Sequence, residues 1–315
     1  MTSVRRSVVL KQLIDWFAYI LVRCLVCLAQ AMSIERCHEV CRVLAWLASD
    51  VVRIRKAVVD DNLRHAFPAW TETQRRMCAR KMWEHLFLMT CEIAHIQRKL
   101  HTTNYRQFLM FHQKPISMKY LLEGRPLVQL TAHYGNFEVF GFIIGMMGMP
   151  SYTVARPLDN RYLDRWLKRF RQGTGQTILP KDGSAKTIDA VLEAGGRMSL
   201  LGDQHAGPKG CWVDFFGRPA SCHKAVAVFT LVSGAPQLVV ALRRLGKPMR
   251  FDAACFGVVD PRDQTHEAMA NVKSLTKWYN QRLEEMIREC PEQYWWVHRR
   301  WKGTPPRRSL PSKAA

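Results

Sequence analysis

An apolar run that ends in a histidine lies near the middle of the chain and reads Leu127-Val128-Gln129-Leu130-Thr131-Ala132-His133-Tyr134-Gly135-Asn136-Phe137-Glu138. The segment 127–132 predicts a buried strand, so His133 is expected at the carboxyl end of that strand. Gly135 permits a tight turn and Asn136 suits a helix N-cap, which would bring Glu138 into the first turn of a helix. Active sites of α/β folds are built at this end of the strands.

The spacing of His133 and Glu138 suggests a base and its partner acid. An ionised carboxylate accepts a proton from one imidazole nitrogen and leaves the other nitrogen free to act as a base. The chain has no G-x-S-x-G nucleophile elbow, and no cysteine accompanies the histidine. We therefore predict direct activation of a substrate hydroxyl. The alternative is a strand-end histidine whose hydrogen bonds are only structural.

Strand and helix patterns alternate downstream of this stretch. Strands are predicted at 127–132, 152–155, 177–179, 198–201, 237–242 and 250–256, and helices at 137–148, 160–171, 185–193 and about 267–289. Upstream, Pro68 stops one helix and Thr71 caps the next, predicted at 71–98. Such alternation predicts an α/β fold with a mainly parallel central sheet flanked by helices.

The N-terminal segment 13–32 is mostly apolar but contains Asp15 and Arg23. A helix that spans a membrane, an interfacial helix with Arg5, Arg6 and Lys11 near anionic headgroups, and a buried packing helix are all compatible with it. We predict membrane-associated helices at 1–50, a catalytic domain at 51–303 and a disordered basic tail at 304–315.

The formal charge of +21 in 315 residues favours anionic partners. No zinc-finger spacing, RNP motif or basic-zipper heptad is present, so we expect an anionic membrane surface or an acidic carrier protein and no nucleic acid. Of the ten cysteines, only Cys24 and Cys27 form a CxxC, without a second pair. We predict reduced thiols, with neither disulfides nor a metal site.

Several further segments accompany the His133 box in a fixed order. They are Asn62-Leu63-Arg64-His65-Ala66-Phe67-Pro68, Ala155-Arg156-Pro157, Gly202-Asp203-Gln204, Phe215-Phe216-Gly217-Arg218-Pro219-Ala220 and Pro291-Glu292-Gln293-Tyr294-Trp295-Trp296-Val297-His298-Arg299-Arg300-Trp301-Lys302. Together they resemble the lipid A biosynthesis (late, lauroyl/myristoyl) acyltransferase family, within the H-x4-D/E glycerolipid acyltransferase superfamily. The resemblance runs from about residue 50 to residue 303.

The resemblance implies a glycerolipid acyltransferase-like fold and transfer of a fatty acyl chain from acyl carrier protein to a hydroxyl of a lipid A precursor or related glycolipid. His133 would be the general base, with Glu138 as its partner, and no cofactor would be needed. The enzyme would work at the cytoplasmic face of the bacterial inner membrane. The alternatives are another acceptor (a mannosyl lipid or a lysophospholipid), acyl-CoA as donor, or a catalytically silent membrane-binding scaffold.

The same resemblance implies substrate-binding residues. Arg156 would stabilise the oxyanion or bind an acceptor phosphate. Asp203, with Gln204 beside it, would hold the acceptor hydroxyl or orient Arg156, unless the pair is a structural turn. Phe216 and Gly217 would line the acyl site, unless they form a core turn.

Two basic groups remain. Arg299 and Arg300, among tryptophans, would bind a lipid headgroup phosphate, unless they pair with carboxylates of the domain. Arg165, Lys168, Arg169 and Arg171 on the 160–171 helix would dock the acidic carrier, unless they form only a solvated helix face. The apolar segment 142–148 would line an acyl tunnel, pack as a buried helix, or do both.

Overall fold

The chain is described from a computed structural model over residues 2–111, 114–180 and 183–305, with side chains described from residue 9 onward and omitted at 114–116. Its helices are α1 (Thr2–Ala31), α2 (Ile34–Trp46), α3 (Lys56–Ala66), α4 (Glu72–Lys99), α5 (Lys114–Leu122), α6 (Phe137–Met146), α7 (Arg161–Gln172), α8 (Ala185–Glu193), α9 (Lys224–Ser233) and α10 (Val272–Glu289). The predicted tail at 304–315 and the side chains of Arg5 and Arg6 lie largely or wholly outside this description.

The strands are β1 (Leu109–Phe111), β2 (Leu127–Thr131), β3 (Ser151–Ala155), β4 (Gln176–Pro180), β5 (Arg197–Leu201), β6 (Cys211–Phe215), β7 (Arg218–Cys222), β8 (Gln237–Arg244) and β9 (Phe251–Val259). A seven-stranded sheet has the order β1-β9-β8-β2-β5-β3-β4. Strands β8, β2, β5, β3 and β4 run parallel, while β9 is antiparallel to β8 and carries β1 parallel to itself. The predicted α/β fold with a mainly parallel sheet is confirmed.

Apolar side chains of the central strands alternate between two cores. On β8, Val239 and Ala241 join the core on one face, whereas Leu238, Val240 and Leu242 join the other. Helices α8 and α10 cover the first face, and α6 covers the second. Strands buried on both faces read as continuous apolar runs, which is why 127–132 and 237–242 were recognisable in the sequence.

Helix α4 begins as predicted, at a capping box. Thr71 accepts a hydrogen bond from the backbone N–H of Gln74, and the Gln74 side chain accepts one from the Thr71 backbone N–H. Helix α2 packs along α4, and its N-cap Ser33 is separated from the end of α1 by a single residue. The long helix α4 therefore connects the N-terminal helices to the rest of the chain.

Helix α1 is long, apolar and unburied. Its segment Val9–Ala31 has a mean hydropathy of 1.7, no buried residues in its most apolar window, and enough length to cross a membrane. It touches the remainder of the molecule through α4 and α7, where Asn160 donates a hydrogen bond to the Asp15 carbonyl at 2.7 Å and Tyr19 lies against Tyr162. The reading of this helix as a buried packing helix is therefore wrong.

Strands β6 and β7 form a hairpin that the strand pattern did not reveal. They are joined by the two-residue turn Phe216-Gly217, with φ values of 51° and 75°. Both central residues of this turn have positive φ, as in the tight turns that match the twist of paired strands. Glycine is usual at such a position and phenylalanine is not, so the sequence offered a turn only as an alternative and did not indicate the hairpin.

Candidate active site

The register of β2 and β5 brings His133 and Asp203 to the same level. Thr131, the last residue of β2, is paired with Leu201, the last residue of β5. His133 and Asp203 each follow two residues after the end of their strand. His133 Nδ1 lies 2.9 Å from Asp203 Oδ1, and the His133 backbone N–H donates to Asp203 Oδ2 at 3.1 Å. Because the carboxylate only accepts, Nδ1 carries the proton and Nε2 of the neutral ring has a free lone pair.

Glu138 is not the hydrogen-bond partner of His133. Its carboxylate is paired with Arg171 of α7, at 2.5 and 2.9 Å from two guanidinium nitrogens. The first turn of α6 carries Glu138 towards α7, whereas Asp203 faces the histidine across the sheet edge. The prediction that Glu138 orients the imidazole is therefore corrected, and that position belongs to Asp203.

Burial and the neighbouring carboxylates act in opposite directions on the pKa of His133. Burial by itself lowers the pKa of His133, but the charge and hydrogen bond of Asp203, together with the charge of Glu138, outweigh burial and raise the pKa above its ordinary value. For Asp203, burial alone would raise the pKa, but the histidine's charge and hydrogen bonds hold it below its usual range. A neutral base next to an ionised carboxylate is thus the state above the raised pKa of His133.

The open side of the imidazole faces polar and aromatic groups. The amide nitrogen of Gln204 lies 3.3 Å from His133 Nε2, and the rings of Phe137 and Trp295 lie 5.2 and 5.0 Å from the imidazole. The Gln204 amide thus occupies the position from which a substrate hydroxyl would donate to Nε2. Gln204 was predicted near the substrate, and the structure brings it to the histidine.

The C-terminal segment 291–302 lies directly against the His133 loop. The backbone N–H of Trp295 donates to the His133 carbonyl at 3.0 Å, and Tyr134 forms a β-bridge with Tyr294. Asn62 of α3 holds this segment by donating to the carbonyls of Trp296 and His298, at 2.7 and 2.8 Å. Segments more than two hundred residues apart therefore meet at one site.

His298 was missed as a site residue by the sequence argument. Its Nε2 accepts from the backbone N–H of His205 at 3.3 Å. Burial comes first in lowering the pKa of His298, and His133 and Arg300 also lower it, while Asp203 acts in the opposite direction. Its contact with His205 places His298 against the segment that carries Asp203 and Gln204, and only its position in the 291–302 segment could have suggested this.

Arg156 lies at the same edge of the sheet, two strands away from His133. It directly follows β3, which pairs with β5, so the carboxyl ends of β2, β5 and β3 are adjacent. Its side chain is 79% exposed and donates to Asp159 at 3.2 Å. Arg156 is thus accessible at the rim, but it is separated from His133 by β5.

Phe216 and Gly217 are placed in the hairpin turn. The Phe216 backbone N–H donates to Glu284 of α10 at 2.7 Å, and its buried ring packs against Phe67, Trp296 and the guanidinium of Arg288. The structure therefore has both residues in a packed turn, which was one of the two predicted alternatives, and their contact with the acyl chain stays a prediction.

Arg300 and Arg299 have opposite environments. Arg300 is 2% exposed and donates to the Ser221 carbonyl and to Cys222 Sγ, both at 2.8 Å, so it holds the hairpin and is not available to a headgroup phosphate. Arg299 is exposed. Of the two predicted phosphate ligands, only Arg299 faces solvent.

Two cavities lie on the α6 face of the sheet. The smaller, of about 40 Å³, is bordered by Thr131, Phe137 and the Glu138–Arg171 pair. The larger, of about 670 Å³, is lined mainly by apolar side chains of α5, α6, β8 and β9. Both share Gln129, Phe140, Ile144 and Val240 as walls. The ring of Phe137, which lies 5.2 Å from the imidazole of His133, borders the smaller cavity, whose walls are both polar and apolar; the mainly apolar cavity lies beyond the four shared wall residues.

Comparisons with known proteins agree on one family over most of the chain. The family model described as bacterial lipid A biosynthesis acyltransferase matches residues 3–303. Among curated relatives, the chain is 25% identical to the lipid A biosynthesis lauroyltransferase of Escherichia coli, over 83% of this chain and 84% of that one. It is 24% identical to the lipid A biosynthesis acyltransferase of Haemophilus influenzae, over 75% and 72%.

One solved structure is similar at a lower level. The 1-acyl-sn-glycerophosphate acyltransferase PlsC of Thermotoga maritima is 11% identical, with a TM-score of 0.39 over 84% of this chain and 99% of that chain. The fold class rests on the sheet topology described above.

Proposed function

Because the chain belongs to the bacterial lipid A biosynthesis acyltransferase family and is therefore an acyltransferase, we propose that it moves a fatty acyl chain from acyl carrier protein to a hydroxyl of a lipid A precursor. The observation that carries the mechanism is the contact of His133 Nδ1 with Asp203, which leaves Nε2 without a proton. The ring of Phe137 separates the imidazole from the smaller cavity. His133 is the general base, and Asp203 holds its tautomer.

The reaction needs no nucleophile from the protein. Nε2 of His133 takes the proton of the acceptor hydroxyl while that oxygen attacks the thioester carbonyl carbon. Collapse of the tetrahedral intermediate breaks the carbon–sulfur bond, and the departing thiolate takes the proton back from the imidazolium. Asp203 stabilises the imidazolium between these steps. Gln204, whose amide lies 3.3 Å from Nε2, is available as a donor to the oxyanion. Arg156, exposed at the rim beyond β5, is proposed to bind an acceptor phosphate.

The acyl chain is proposed to lie along α6. The narrow cavity next to Phe137 would admit the first carbons, and the 670 Å³ cavity behind Phe140 and Ile144 would hold the rest. Apolar walls suit an alkyl chain, since each buried methylene contributes about 0.8 kcal/mol. The Glu138–Arg171 pair, at the narrow end, would then border the passage.

The carrier protein is proposed to dock on α7. Arg165 and Arg169 are exposed there, one helical turn apart, whereas Lys168 pairs with Asp164 and Arg171 with Glu138. Helix α7 follows β3 at the catalytic edge and lies against α1. An acidic carrier docked on this helix would therefore be close to both the membrane helix and the site.

We expect the double variant Arg165→Glu/Arg169→Glu to raise the KM for acyl carrier protein by roughly ten-fold at low ionic strength, with kcat retained, because charge reversal at a docking rim weakens encounter. Salt should reduce the difference, since exposed charges are screened. The matched control is Lys273→Glu/Lys277→Glu, which reverses two exposed cations one turn apart on α10. Equal effects of the two double variants would contradict the proposed docking of the carrier on α7.

Membrane association is proposed through α1, with the active site at the cytoplasmic face of the bacterial inner membrane. The unburied apolar segment Val9–Ala31 supports an embedded or spanning helix, and Lys11 near its start would meet anionic headgroups. Exposed Arg299, in the 291–302 segment beside the site, remains the proposed contact for a headgroup phosphate.

The acceptor is tested by lipid mass spectrometry after expression in a host that lacks its own late acyltransferases. We expect the lipid A precursor to gain the mass of one acyl chain, and the mass itself gives the chain length. The His133→Ala protein, expressed at the same level, is the control. An acyl mass on another glycolipid or on a lysophospholipid, with none on lipid A, would contradict the proposed acceptor.

A further inference from the structure

A buried ion pair lies behind the His133 loop. Arg244 of β8 donates to both carboxylate oxygens of Glu92 on α4, each at 2.7 Å, and Glu92 is 0% exposed. The third guanidinium nitrogen of Arg244 lies 2.8 Å from Nδ1 of His85, which is also on α4. His85, Glu92 and Arg244 form one cluster, which we call the rear cluster.

The hydrogen positions in the rear cluster follow from donor and acceptor chemistry. A guanidinium only donates, so Nδ1 of His85 must accept and its proton must lie on Nε2. That nitrogen is 3.2 Å from the Gly135 carbonyl oxygen and therefore donates to it. Burial, reinforced by the charge of Arg244, lowers the pKa of His85 well below its ordinary value, which agrees with a neutral ring.

The rear cluster reaches the loop at a second point. Glu92 accepts from the side-chain amide of Asn136 at 2.9 Å, while the Asn136 oxygen caps α6 by accepting from the Val139 backbone N–H. Asn136 is thereby fixed from two sides. The cluster holds the two residues that follow His133-Tyr134, one by its carbonyl and the other by its side chain.

The remaining backbone groups of this loop are also held from behind. The Gly135 N–H donates to the Gln293 carbonyl and the Asn136 N–H to the Leu242 carbonyl. Gly135 has a φ of 58°, and a Cβ there would lie 2.0 Å from the Leu242 oxygen. The loop packs so closely against β8 that position 135 has no room for a Cβ. Its contacts with the rear cluster therefore constrain the direction in which the chain leaves β2 at His133.

Stability alone gives little reason for such a cluster. The cost of desolvating a buried ion pair is close to its Coulombic gain, and well-packed apolar residues often serve as well. What an ion pair adds is direction, because each hydrogen bond requires its own geometry. Here two of these hydrogen bonds, from His85 to Gly135 and from Asn136 to Glu92, reach the loop that follows His133.

We propose that His85, Glu92 and Arg244 are positioning residues that align His133 for catalysis. The inference rests on the proposed role of His133 as a base. None of the three touches the face of His133 that meets substrate, since they contact residues 135 and 136 from the opposite side. Their effect therefore passes through the loop.

The test compares His85→Leu with His85→Gln. Leucine fills the volume without a donor, whereas glutamine keeps an N–H of similar reach. We expect His85→Leu to lower kcat by roughly ten-fold or more with the KM of the acyl donor unchanged, because misplacing a catalytic group acts on the chemical step. His85→Gln should recover most of the loss. The control is Asp260→Asn, which weakens a bidentate pair with Arg125 at the opposite edge of the sheet.

A readout independent of turnover is the nuclear magnetic resonance titration of the His133 ring, in protein labelled at the histidine Cε1 positions and assigned with His133→Ala. The ring signal and its titration should change in His85→Leu, return in His85→Gln and stay unchanged in Asp260→Asn. Unchanged His133 signals in His85→Leu would overturn the proposal, as would equal losses in both His85 variants. If the wild-type protein transfers no acyl chain, the proposed function fails, and the His133 signals still decide the positioning role.

Discussion

His133→Ala should lower kcat for acyl transfer by about two to four orders of magnitude, the range typical of a general base. The acceptor hydroxyl is then left without a group to take its proton while it attacks the thioester. The KM for the acyl donor should change little, because His133 lines neither of the two cavities that are proposed to hold the acyl chain. Single-turnover transfer from acyl carrier protein to the purified acceptor, followed by mass spectrometry, measures the loss.

The matched control for this variant is His101→Ala, which removes an exposed histidine whose ring nitrogen lies near the Arg98 carbonyl in the turn after α4. Thermal unfolding of both variants should resemble that of the wild-type protein, so that the loss can be assigned to chemistry. Wild-type turnover in His133→Ala would eliminate the proposed mechanism.

Asp203→Asn should produce the second large loss, also of about two to four orders of magnitude. An asparagine amide in contact with Nδ1 favours donation to that nitrogen, which moves the ring proton to Nε2. Nε2 is then a donor and cannot accept the hydroxyl proton. Asparagine has nearly the same size and shape as aspartate, so the fold should persist.

The pH profile gives Asp203→Asn a distinct signature. As the proposed base, His133 can accept a proton only when it is neutral, so wild-type activity should fall as the pH drops through its raised pKa. Loss of the Asp203 charge leaves burial as the main influence, and burial lowers the pKa of His133. The acid limb of the kcat/KM profile should therefore move to lower pH in Asp203→Asn. An acid limb that stays in place would show that Asp203 does not control the base.

Glu138→Gln separates the two carboxylates. It leaves the Nδ1 contact with Asp203 intact and removes the partner of Arg171. We expect kcat to remain within about ten-fold of wild type, with a small shift of the acid limb to lower pH because the charge of Glu138 contributes less than that of Asp203. A larger loss in Glu138→Gln than in Asp203→Asn would reverse the assignment of roles.

Local sequence was sufficient for the elements that surround His133. An unbroken apolar run predicts a strand buried on both faces, and the glycine and asparagine after the histidine predict the turn and cap that follow. The structure has Leu127–Thr131 as a strand, and Asn136 caps α6 through the Val139 N–H. The same local logic offered a core turn at Phe216-Gly217 but missed the two strands that it joins, and packing of Phe216 on Phe67 and Trp296 accommodates a phenylalanine in that turn.

The sequence by itself determined the fold class, and it predicted the carboxyl edge of the sheet and His133 as the place to test for chemistry. Only the tertiary structure decided which carboxylate is hydrogen-bonded to the His133 imidazole. Glu138 is five residues away in the chain, but a helical turn directs it to Arg171, whereas Asp203 is seventy residues away and directly opposite in the register of β2 and β5. Strand pairing is a long-range interaction, and side-chain spacing along one segment carries no record of it. Arg300 shows the same limit, since its charge suggested a phosphate and its burial against Ser221 and Cys222 makes it part of the hairpin's support.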